Sequence, residues 1–140
     1  MMLIAVAVDE RSPHAAVSEH LADAKCLLIV DPEQNQVTEV LEAADGGADL
    51  LFAKASAERD CEAIICGDID KAAFDLLADN MITRYYGWGA TASQAVRMMQ
   101  ERRLQLIRQS RQGDHCQGEE HWAELQRSAD TLAAKQKPQP

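Results

Sequence analysis

Three stretches of this chain are apolar without interruption: LIAVAV at residues 3–8, CLLIV at 26–30 and AIIC at 63–66. A strand with one wet face alternates in character, so unbroken runs of this length belong to strands covered on both sides. Covering both faces of a sheet takes helices, and the spacing of the remaining apolar residues supplies them. Leu50, Leu51, Ala53, Ala55 and Ala57 support a helix over residues 48–59, and Ala73, Phe74, Leu77 and Ala78 support a second over 70–80, with Asp70 as its N-cap. Thr91 and Gln94 form a capping box that opens a long helix carrying Ala95, Val96, Met99 and Leu106. Aromatic residues are only 4% of the chain, so Ala, Leu, Ile, Val and Met must fill the core.

Between these elements, residues 36–41 alternate β-branched and polar side chains, and residues 32–35 form the turn that pairs them with the run before. Residues 82–86 make a fifth strand, closed by Gly87-Trp88-Gly89. The order is therefore β, β, β, α, β, α, β, α. Helical crossovers make the later strands parallel, while the short turn makes an antiparallel pair. The expected fold is α/β: a five-stranded mixed sheet flanked by helices, with strand one central, in a ribonuclease-H-like topology. Residues 9–24 form a long connection, with Ser12-Pro13 as a turn and a helical turn over 17–22 capped by Ser18.

The 140 residues support one domain, placed at 1–112, and a C-terminal helical extension at 113–140. In that extension Trp122, Leu125, Ala129 and Leu132 recur at helical spacing, a narrow stripe suited to docking on the domain or to forming a homodimer, before a frayed end.

The charge is uneven. Residues 1–96 hold 17 acids and 6 bases, whereas 97–140 hold 6 acids and 8 bases. The acidic body repels a phosphate backbone, and few aromatics remain for stacking on bases, so no nucleic-acid partner is expected. No stretch approaches the length of a membrane span, and the opening residues lack the charged start of a signal peptide. Cys26, Cys61, Cys66 and Cys116 form no CxxC and no paired framework, which points to a reducing cytoplasm.

Parallel strands one, four and five would open their carboxyl ends on one edge, where open α/β sheets bind ligands. Three segments meet there: the 9–24 loop, the Cys66-Gly67-Asp68-Ile69-Asp70 turn and the Tyr86-Gly87-Trp88-Gly89 turn. His20 can ligate iron through a neutral imidazole, although a packed loop histidine is the competing explanation. Cys66 ends a strand beside Gly67 and can ligate as a thiolate, against the burial common for cysteine. In the tail, His115, Cys116 and His121 lie between or near Gly113 and Gly118 and form a candidate zinc or iron loop. Their spacing is not a standard zinc signature, and a polar hinge explains it equally well. Arg97, Arg102, Arg103, Arg108 and Arg111 fall on the long final helix, where they can attract an anionic cluster or line a solvated face.

Four pieces in order resemble a known family. The opening IAVAVD, the segment VSEHLADAKCLLIVD, the turn AIICGDI and the closing ITRYYGWGATASQAV are similar to the first strand, the S-x-H-F-G-x-A entry to strand two, the I-C-G-N-I turn and the strand, glycine turn and helix of the dinitrogenase iron-molybdenum cofactor biosynthesis proteins, which include NifX-like carriers. Leu21-Ala22 stand where the family has Phe-Gly, Asp68 replaces an Asn, and Asp70-Lys71 replace Gly-Pro, while His20 and Cys66 keep their places. The resemblance implies a cytoplasmic, non-catalytic carrier of iron-sulfur or iron-molybdenum cofactor precursors in nitrogen-fixation chemistry, working with metallocluster biosynthesis or acceptor proteins. Its implied contacts are His20, Cys66, Gly67, Asp68, Gly87 and Gly89, with Arg11 of the same loop. Two other readings compete: a magnesium-dependent ribonuclease-H-like nuclease built on Asp9, Asp68 and Asp70, and a protein-interaction module.

Overall fold

The computed structural model describes residues 2–43 and 47–110. Its elements are β1 (Ile4–Val8), β2 (Cys26–Asp31), β3 (Gln36–Glu42), α1 (Ala48–Glu58), β4 (Ala63–Cys66), α2 (Lys71–Asp79), β5 (Thr83–Tyr86), α3 (Ala92–Gln100) and β6 (Gln105–Leu106), with a single 3-10 turn at Leu21–Asp23. They form one mixed sheet in the order β3-β2-β1-β4-β5-β6. β1 runs parallel to β4, and β4 to β5; β1 with β2, β2 with β3 and β5 with β6 are antiparallel.

The apolar runs are buried on both faces, as continuous hydrophobicity requires. Ile4, Val6 and Val8 of β1 share one buried cluster with Leu28, Ile65 and Val96, on the α3 side. Ala5 and Ala7 share the other with Leu27, Ile64, Phe52 and Leu77, on the side of α1 and α2. The sheet thus lies between two helical layers, one residue of each strand serving each in turn. β3 is the margin of the sheet and is half-wet; its Glu39 takes both nitrogens of an Arg59 fork at 2.9 Å, tying it to the end of α1.

Two expectations need correction. The sheet has six strands rather than five, because the chain after α3 returns along β5. The last helix accordingly ends at Gln100 and does not reach Leu106: Arg102 adopts a left-handed backbone with φ 60° and turns the chain back. The helix start agrees with its motif, Gln94 N–H donating to Thr91 Oγ1 at 3.2 Å and Thr91 N–H to Gln94 Oε1 at 3.0 Å. The 32–35 turn is also present, closed by Asn35 at φ 51°. No helix among the described residues is long and apolar enough to cross a membrane. The tail expected at 113–140, with His115, Cys116 and His121 and its homodimer role, lies outside the described residues.

Candidate functional site

β4 and β5 end side by side, Cys66 opposite Tyr86, and the chain turns sharply after each. The 9–24 loop lies across both turns and is fixed by main-chain hydrogen bonds rather than by a helix. Ser18 N–H donates to Ala7 O at 2.9 Å, and Val17 N–H to Ala90 O at 2.9 Å; Ala92 N–H donates to Ala15 O at 2.9 Å. On the other side Asp68 N–H donates to Glu19 O at 2.7 Å and Leu21 N–H to Asp68 O at 2.9 Å, while Gly87 N–H donates to Cys66 O at 2.9 Å. Ser18 is therefore no helix cap. It is buried, and its hydroxyl donates to Asp9 Oδ1 at 2.7 Å, bracing the loop against the end of β1.

This close approach explains Gly67. A methyl group there would land on the Glu19 carbonyl, so only glycine lets loop and bend meet. At Gly87 a methyl would instead meet the Ile65 side chain, and Gly89, at φ 106°, needs glycine for its conformation.

The seam brings His20 against Asp68, the two residues forming a parallel bridge. The imidazole Nδ1 stands 3.3 Å from the Asp68 carboxylate and Nε2 3.9 Å from that of Glu19, with 29% of the side chain exposed. Tyr86 shares this corner: burial first, then the charges of Asp68 and Glu19, hold its phenol above its ordinary range. Glu19 and Tyr86 were not singled out from sequence, because neither type marks a site until the fold shows what stands beside it.

Cys66 departs from the expected rim position. It is fully buried, in the cluster that holds Leu21, Ile64 and Ile69, and desolvation raises its thiol far above the usual range. A thiol so placed is held in its protonated form among apolar neighbours, away from the rim. Cys26 and Cys61 are buried as well, and burial raises both. A colorimetric thiol titration of the native protein at pH 8 is accordingly expected to leave Cys26, Cys61 and Cys66 unlabelled until denaturant is added. Rapid native labelling of Cys66 would return it to the rim.

Arg11 is not brought to His20; its guanidinium pairs with Glu42 of β3 at 2.8 Å on the surface. The arginines also do not share one helix. Arg97 is on α3, Arg102 and Arg103 follow its end, Arg108 lies past β6, and Arg111 is outside the described residues. Beyond the Gly87–Gly89 turn, Trp88, Arg97, Met98, Arg103 and Leu104 line an open groove of about 540 Å³. Among the described residues no group of three or more His, Cys, Asp or Glu side chains is arranged to hold a metal ion.

A protein-family model described as dinitrogenase iron-molybdenum cofactor matches residues 2–102. Three solved structures share the fold. The apo orange protein from Desulfovibrio gigas is 19% identical, with a TM-score of 0.70 over 80% of this chain and 98% of its own. A Thermotoga protein provisionally described as NifB is 24% identical, at 0.69 over 81% and 100%. A Methanocaldococcus jannaschii protein provisionally described as a dinitrogenase is 22% identical, at 0.59 over 77% and 96%. At these identities the likeness speaks for the fold. No curated protein matches.

Proposed function

We propose that this chain, which belongs to the dinitrogenase iron-molybdenum cofactor family, carries an iron-sulfur or iron-molybdenum cofactor precursor as transient cargo between biosynthesis and acceptor proteins, with no catalysis of its own. The observation that supports this reading is the hydrogen-bonded seam between the 9–24 loop and the Gly67 bend, which fixes a part-exposed imidazole at the ligand-binding edge of the sheet. The Asp68 carboxylate stands 3.3 Å from Nδ1 and orients the ring, the arrangement by which carboxylates hold metal-binding histidines in place. Gly67, Asp68 and the Gly87–Gly89 turn shape the rim around it. With Cys66 withdrawn into the core, the protein supplies few ligands, and cargo so held can pass to a site that offers more.

The nuclease reading is not favoured. Asp9 accepts from Ser18, Asp68 pairs with His20, and Asp70 precedes α2 without a side-chain cap bond; among the described residues these carboxylates form no group arranged to hold a metal ion.

Anaerobic reconstitution with ferrous iron and sulfide, or with an isolated cofactor precursor, tests the carrier reading by visible absorbance and paramagnetic resonance. The wild type is expected to acquire a cluster signal, and His20→Ala to bind about tenfold more weakly or worse. Equal loading of both removes His20 from the site; loading of neither removes the carrier reading.

A further inference from the structure

The groove beyond the Gly87–Gly89 turn shares Tyr86, Gly87 and Gly89 with the rim, and most of the rest of its lining comes from α3 and the chain after it. Its lining combines Trp88, Met98 and Leu104 with the guanidinium-bearing Arg97 and Arg103, and no carboxylate lines it. Glu101 reaches Arg103 at 3.0 Å from outside the lining. Trp88 is 51% exposed, a large apolar surface to leave in water. Trp, Met and Arg are the side chains that concentrate at the centres of protein contacts rather than on idle surface.

We infer that residues 119–135 of this same chain occupy that groove. The chain path permits the contact: Gln105 lines the groove, the described residues end five positions later at Ser110, and residues 111–118 separate them from the segment. Those eight residues can span at most roughly 30 Å, about the breadth of a domain of this size. Charge is complementary. Residues 119–135 carry Glu119, Glu120, Glu124 and Asp130 against Arg127 and Lys135, a net negative segment facing a groove with two guanidinium groups and no acid. The apolar parts correspond too, since Trp122, Leu125, Ala129 and Leu132 repeat at the interval of one helix face, the form in which a helix fills an apolar groove.

The chain has two tryptophans, Trp88 and Trp122. In the full chain carrying Trp122→Phe, acrylamide quenching of fluorescence reports Trp88 alone; in the full chain carrying Trp88→Phe it reports Trp122. Protection of either tryptophan is expected, and adding Leu125→Asp with Leu132→Asp, or Arg97→Glu with Arg103→Glu, should raise quenching about tenfold, the change for a docked state favoured by about 1.4 kcal/mol. Full accessibility of both tryptophans before those substitutions overturns the assignment. Protection that the substitutions leave intact overturns it as well. Protection that grows with protein concentration gives the groove to a second copy and overturns docking within one chain. None of these readouts uses cargo, so they stand or fall apart from the carrier reading.

Discussion

Gly67→Ala is expected to lower the unfolding free energy by about 3 kcal/mol, at the upper end of what a single added methyl costs in a packed site. The methyl would meet main chain, the Glu19 carbonyl and the Ser18 carbonyl behind it, and main chain cannot rotate away as a side chain can. Either the loop lifts, losing the Asp68 and Leu21 hydrogen bonds, or the β4 bend distorts. Gly89→Ala is the comparison. It meets open space and bears only the strain of φ 106°, so about 1 kcal/mol is expected. Urea unfolding with both variants decides the matter, and a wild-type midpoint for Gly67→Ala would mean that the loop does not sit on the bend in solution. Because the same hydrogen bonds hold His20 at the rim, Gly67→Ala should also load iron and sulfide poorly under conditions where it remains folded.

Stability should also fall steeply in alkali. Burial pushes the Cys61 thiol from 9.0 up to about 11, overriding the opposing pull of Arg59. Above pH 9 the unfolded chain therefore gives up a proton that the folded chain keeps. The folded state then binds more protons, so the stabilisation is complete below pH 9 and is lost as pH rises towards 11. For Cys61 alone that amounts to about 2.7 kcal/mol across the window. Cys66, buried more deeply, acts in the same sense, and so does Tyr86. Removing both thiols as Cys61→Ala/Cys66→Ala isolates their share, and the slope of unfolding free energy against pH should flatten by about 2.7 kcal/mol per unit between pH 9 and 11. An unchanged slope would show that these thiols reach water in the native protein.

Much of the layer arrangement was legible because long apolar runs have few places to go. Residues 3–8, 26–30 and 63–66 could only be doubly covered strands, and Thr91 with Gln94 announced a helix start by a local reciprocal bond that needs no tertiary partner. The end of that helix was not legible. Leu106 continues the apolar spacing, yet it pairs with Tyr85, and the left-handed turn at Arg102 sits in a charged triplet that carries no stop signal. Cys66 shows a different limit. In β4, Ala63 and Ile65 face one helical layer and Ile64 and Cys66 the other, a parity the sequence does reveal. Which parity opens at the rim depends on how the loop from β1 crosses the strand end, and that is a long-range contact. His20 was found by residue type and its neighbours Glu19 and Tyr86 were not, because a carboxylate or phenol acquires meaning only from what the fold sets next to it.

The half-wet outer strand Gln36–Glu42 has a consequence for how the protein behaves in a crowded solution. An uncovered ladder of that length is a template on which another extended chain can add, the first step towards fibrils. Here Glu39 and Glu42 stand along it, each gripped by an arginine from elsewhere in the fold, so an arriving strand would have to displace two ion pairs and bury two carboxylates. The border that looks least finished is thus guarded against self-polymerisation.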